Sequence, residues 1–155
     1  MAAGSNAQYD ETEEQVIELE LLLREIWRLL KGQIRAELGG HDVTLVQFYA
    51  LLALSHGDLT MSELCDRLAI ASSTVTDLVD RLERNGFVTR SRDEDDRRMV
   101  RLKLSERGFF VLSSVIERRK ALLSRVMKDM APEEVKGLIG LLEKLYSLLA
   151  RNLSQ

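Results

Sequence analysis

The chain has 155 residues, 45% of them apolar and 30% charged, a balance that fits one soluble domain with a buried core. A net charge of −3 argues against an indiscriminate polyanion binder, and a lone cysteine, Cys65, excludes an internal disulfide. Nine glycines, a single proline and few aromatic residues favour helix over sheet; there is no run of about 18 apolar residues to span a membrane and no signal-peptide pattern, so a reducing cytoplasm fits.

Residues 1–9 carry no pattern and read as a disordered end, leaving 10–155 as a single domain. From about Asp10 to Leu38, Val16, Leu19, Leu23, Ile26, Leu30 and Ile34 step by three and four, with Leu22, Trp27 and Leu29 on a neighbouring stripe. This predicts one long helix with more apolar surface than a single neighbour covers. Gly39-Gly40 ends it, and Thr44 caps a second helix in which Val46, Phe48, Tyr49, Leu51, Leu52 and Leu54 are expected to be largely buried.

Thr60-Met61-Ser62-Glu63 is a capping box, in which the Thr hydroxyl accepts from the backbone three residues on and the Glu reaches back. The helix it opens has Leu64 and Leu68 on one face. After Ala69-Ile70-Ala71, Ser72-Ser73-Thr74 starts another helix with Val75, Leu78, Val79 and Leu82 inward, which is helix-turn-helix spacing. Asn85-Gly86 ends that helix. Val88–Arg92 and Met99–Leu104 then flank the polar tip Asp93-Glu94-Asp95-Asp96-Arg97-Arg98, a β-hairpin whose second strand alternates Val100, Leu102 and Leu104 with Met99, Arg101 and Lys103. A helix-turn-helix followed by such a hairpin is a winged helix.

Ser105 caps a further long helix carrying Phe109, Leu112, Ile116, Leu123, Val126 and Met130. Pro132 and Glu133-Glu134 suit the first turn of the last helix, where Val135, Leu138, Leu142, Leu145 and Leu149 alternate with Ile139, Leu141 and Leu148 alongside. That is again more apolar surface than one neighbour buries, and left exposed it invites association. The expected fold is mainly α with a small β-hairpin wing.

Charge is segregated along the chain. Residues 1–20 hold six acids and no base, whereas 84–103 hold seven bases against four acids, so the basic patch coincides with the hairpin. Ser72, Ser73, Thr74 and Thr76 stand at a helix N-terminus, where free N–H groups and the positive end of the dipole suit a phosphate or a base edge; Ser62 offers a hydroxyl one helix earlier. Arg98 at the hairpin tip suits a narrow minor groove, and Arg97 and Arg90 suit phosphates, although a charged hairpin is also an ordinary solvated surface.

The order of these parts, above all Asp96-Arg97-Arg98 followed by Leu102-Lys103-Leu104-Ser105-Glu106-Arg107-Gly108, resembles the MarR (multiple antibiotic resistance regulator) family of bacterial transcription factors. The resemblance implies a winged helix-turn-helix over 44–104, set between long dimerisation helices at 10–39 and 105–153. It implies a homodimer on double-stranded DNA, with two recognition helices one turn, roughly 34 Å, apart on a pseudo-palindromic operator, most often as a repressor. It also implies that Asp96 orients Arg98; as residues alone, the two read equally as a surface ion pair worth little.

Two positions depart from the family pattern. Asp77 stands where a recognition helix often has a basic or neutral residue; it repels phosphate yet can accept from a cytosine amino group. Glu94 stands where the family often has Pro. Arg81 reads as an ion-pair partner of Asp77 or Asp80.

The resemblance further implies a small aromatic or phenolic effector, with Trp27, His41, Phe48 and Phe109 as a candidate pocket; helically spaced aromatics are also ordinary core residues. Cys65 reads as a buried structural cysteine. His41 with Glu37 and Asp42 is an incomplete metal site, and His56 is distant in sequence, so neither a metal nor another cofactor is expected. No nucleophile elbow, Gly-rich phosphate loop or paired catalytic carboxylates suggest an enzyme. The alternative is a winged helix that binds protein and lacks sequence-specific DNA binding.

Overall fold

The computed structural model describes residues 4–92 and 99–153, with side chains from residue 12 onward. In chain order the elements are α1 (Gly4–Leu38), α2 (Leu45–Leu54), β1 (Leu59–Thr60), α3 (Met61–Leu68), α4 (Ser72–Arg84), β2 (Val88–Arg92), β3 (Val100–Leu104), α5 (Glu106–Met127) and α6 (Pro132–Leu153). Two compact units divide the chain within α5, one ending at Val115 and the other beginning at Ile116.

The first unit is built around the helix-turn-helix. Thr60 and Glu63 close the expected capping box at α3: Glu63 N–H donates to Thr60 Oγ1 at 3.3 Å and Thr60 N–H donates to Glu63 Oε2 at 2.7 Å. The Thr60 N–H foremost, and then the Thr60 hydroxyl donating to the same carboxylate oxygen at 2.9 Å, hold the Glu63 carboxyl below its ordinary value. A second capping box joins Thr44 and Gln47 at α2, and it makes Gln47 a buried polar residue that has its partner. Its signal, a Thr followed three residues on by a Gln, is visible in the sequence.

The core gathers Ile34 and Leu38 of α1, Phe48, Leu51 and Leu54 of α2, Leu64 of α3 and Val75, Val79 and Leu82 of α4. Phe87 reaches it from the turn before β2, Val88 and Leu102 from the sheet, and Val111, Leu112 and Val115 from α5. Val46 departs from the expected burial: it is exposed at the rim of a groove with Tyr49, Leu52, Arg67 and Leu68.

The wing has one strand more than the hairpin. The sheet runs β1-β3-β2, all antiparallel, with Leu59 opposite Leu102 and Val88 opposite Leu104. The alternation in β3 holds at its centre, where Leu102 is fully buried and Lys103 exposed, and fades at Val100, which is exposed. Lys103 pairs with Asp58 at 3.1 Å, tying β3 to the loop before β1.

Gly86 has φ +73, a left-handed turn that glycine takes without strain, and it sends the chain from α4 into β2. The Ser105-Glu106-Arg107-Gly108 stretch locks this turn to α5. Ser105 Oγ donates to Gly86 O at 2.7 Å and accepts from Gly108 N–H at 3.0 Å, while the Arg107 guanidinium lies 4.8 Å from the Phe87 ring centre. Gly108 is buried, and a Cβ there would fall 2.2 Å from Phe87 O.

α1 begins at Gly4, upstream of the Asp10 start read from periodicity; residues 4–9 contain no proline, and once nucleated a helix extends at little cost. In the second unit Glu134 accepts from Ala131 N–H at 2.7 Å to cap α6, and no residue of α6 is buried.

Candidate nucleic-acid interface

α4 has the geometry of a recognition helix. Its inward face buries Val75, Leu78, Val79 and Leu82, which fixes its roll, so Ser72, Ser73, Thr74, Thr76 and Asp77 are all exposed. The N-cap is Ala71, which has no side chain to close the first turn, and the Ser72 and Ser73 hydroxyls sit beside backbone N–H groups that lack a capping side chain. Such a terminus can donate from backbone and hydroxyl together to a phosphate or to acceptor atoms in the major groove.

Thr76 Oγ1 donates to Ser72 O at 3.0 Å. Its methyl group and remaining lone pairs stay available for a thymine methyl or a base donor. Asp77 borders a groove with Thr44, Val46, Gln47, Thr74, Leu78 and Arg81, and Ser62 is exposed in the first turn of α3.

The cations fall into two groups. Arg90 is turned back onto α4, where its guanidinium meets Asp80 Oδ1 at 2.5 Å and Glu83 Oε2 at 3.0 Å. Asp80 thus has Arg90 as its partner in place of the expected Arg81, which lines the crevice of Asp42, Thr44, Gln47, Arg84 and Asn85. Arg92 is exposed beyond Arg90. Asp96, Arg97, Arg98 and Glu94 lie outside the described residues.

The four aromatic positions of the expected pocket occupy different settings. Phe48 is buried edge-on to Tyr49, at 5.7 Å between ring centres, and Trp27 stacks on the same Tyr49 at 6.3 Å. His41 lies edge-on to Phe110, and Phe109 is exposed beside Leu54, Leu104 and Ser105. Cys65 is half-buried. No group of three or more potential metal ligands is found among the described residues, and no helix among them is long and apolar enough to cross a membrane.

Comparison with known proteins meets this geometry. The profile of the MarR family matches residues 41–99, which span the helix-turn-helix and β2 and end just before β3. The chain is 36% identical over 123 residues to the HTH-type transcriptional regulator YsmB of Bacillus subtilis (strain 168), covering 79% of this chain and 84% of that one. A MarR family protein of solved structure from Bacillus stearothermophilus is 42% identical with a TM-score of 0.83, over 89% of this chain and 97% of that one.

The chain belongs to the MarR family.

As a MarR-family protein it is a DNA-binding transcriptional regulator with a winged helix-turn-helix, in a family of regulators and not of enzymes. Another relative, the HTH-type transcriptional repressor MdtR of Bacillus subtilis (strain 168), is 29% identical over 76% of this chain and 77% of that one. The expected family and fold class, and DNA binding within them, are borne out.

Proposed function

We propose that this MarR-family chain is a cytoplasmic, homodimeric repressor of a pseudo-palindromic operator, with Ser72, Ser73, Thr74, Thr76 and Asp77 of α4 at the major groove and Arg98 at the adjacent minor groove. Ser62 and Arg97 meet the backbone, and Asp96 orients Arg98. The exposed, uncapped N-terminus of α4 carries the reading. Repression follows the relative named as a repressor, MdtR.

Dimerisation is supported by exposed apolar faces. α1 exposes Val16, Leu19, Leu22, Ile26, Trp27 and Leu29, and α6 exposes Leu138, Ile139, Leu141, Leu142, Leu148 and Leu149. Apolar stripes this long call for a protein partner, and a second copy supplies two recognition helices at once. A small aromatic or phenolic effector that favours one spacing of those helices would release the operator. A thermal-shift screen of such compounds tests that clause, and absence of any stabilisation removes it.

The expected loss for Arg98→Ala is roughly five- to 150-fold in operator affinity, about 1–3 kcal/mol, with selectivity relaxed where the wing meets the groove. Fluorescence anisotropy on a selected duplex measures it. A variant that binds as tightly as the parent removes Arg98 from the interface. Binding of the parent that ignores salt points to the protein-binding alternative, because each phosphate contact contributes about −0.9 to the slope of log affinity against log salt.

A further inference from the structure

We propose that Arg90 is a positioning residue of the DNA reader: it holds the wing to recognition helix α4 through Asp80 and Glu83, and it is not one of the cations that meets a phosphate. The proposal rests on the DNA-binding reading of the chain.

The sequence alone groups Arg90 with Arg97 as a phosphate contact, since a base on a wing strand usually faces the backbone. The fold gives it other work. Asp80 and Glu83 are three residues apart, so their carboxylates share one edge of α4, and each receives a different nitrogen of the same guanidinium, at 2.5 and 3.0 Å. Arg90 sits two positions after buried Val88, hence on the same side of β2, and opposite fully buried Leu102 in β3. Its side chain is about one-third exposed, more covered than either carboxylate. The planar fork therefore bridges the recognition helix and the wing strand two residues before β2 ends.

Charge keeps it there. Two carboxylates face one guanidinium, so drawing Arg90 away to a phosphate would leave Asp80 and Glu83 unscreened against each other and beside a polyanion. Held in place, Arg90 masks both acids and fixes the wing's angle to α4, so that helix and wing tip reach their two grooves in one register.

A lysine at this position separates the roles. It retains the charge that a phosphate needs, yet a single ammonium cannot fork between two carboxylates. In the full-length protein on one operator duplex, we expect Arg90→Lys and Arg90→Ala each to weaken binding by roughly two- to thirtyfold. The slope of log affinity against log salt should stay at the parent value. Parent-like affinity for Arg90→Lys, or a slope shallower by about 0.9 for Arg90→Ala, would mean that Arg90 meets a phosphate, and the proposal would fall.

A second readout needs no DNA. In the free protein the amides of Ser91 and Arg101, paired across β2 and β3, should exchange hydrogen severalfold faster in Arg90→Lys than in the parent, while the core amides of Leu82 and Leu112 keep their rates. Equal rates at Ser91 and Arg101 overturn the latch. Should the parent itself select no duplex, the repressor reading fails, and the exchange comparison still decides the latch.

Discussion

Gly108→Ala is expected to destabilise the first unit by about 3 kcal/mol or more, at the upper end of what overpacking a well-filled site costs. The added methyl would sit 2.2 Å from Phe87 O and 2.8 Å from Leu104 Cδ1. The first of these is backbone at the α4–β2 turn, which Ser105 already ties down through Gly86 O and the Phe87 carbonyl, so it has little freedom to retreat. Relief requires α5 to back away from the turn, which loosens the buried contacts of Val111 and Leu112. At this chain length the melting temperature should fall by roughly 6–12 °C. A thermal melt followed by circular dichroism checks it, and an unchanged midpoint would show that α5 does not approach the turn this closely.

The second large effect concerns association. Leu142 and Leu149, seven residues apart on one face of α6, are each about half exposed, and no residue of that helix is buried in the single chain. Replacing both by Glu places two charges in a surface that the dimer reading makes dry, where an unpaired carboxylate is costly. The pair should convert the protein to a monomer by sedimentation while leaving its helical content unchanged. Operator affinity should then drop by on the order of 10²–10⁴-fold, because the second half-site no longer benefits from the high effective concentration of a linked reader. A monomer that keeps the parent's affinity would contradict cooperative two-site binding, and a variant that stays dimeric would place the interface elsewhere.

What was readable in the sequence follows the range of the interactions. Thr60 and Glu63 announce α3 because a capping box is closed within four residues, and Val75, Leu78, Val79 and Leu82 fix the roll of α4 by spacing alone. β1 was not legible: two residues, Leu59 and Thr60, become a strand only because β3 lies beside them more than 40 residues later. The Arg90 bridge escaped for a related reason. An arginine ten residues after an aspartate carries no periodic signal, and the turn at Gly86 brings them together. In Gly108 the sequence shows only a poor helix former near a helix start, and the need for glycine appears once Phe87 O is seen beside it. Trp27 shows the opposite limit: spacing puts it on a helix, but its stacking on Tyr49 depends on how α1 packs on α2.

Whether the N-terminus of α4 reads DNA is best tested where folding and binding pull in opposite directions. Ser73→Glu puts a carboxylate in the first turn of α4, where the helix dipole favours it, so the fold should be unharmed or slightly stabilised, by about 0.3–1 kcal/mol. The same carboxylate faces whatever anion the helix meets. Anisotropy of parent and variant on short duplexes tiling the DNA upstream of the protein's own gene, at two salt concentrations, decides the matter. We expect tight, site-selective, salt-sensitive binding by the parent and its loss in a variant that melts no lower. Selective binding that Ser73→Glu retains would contradict the assignment of α4, and no selective binding by the parent would contradict sequence-specific reading altogether.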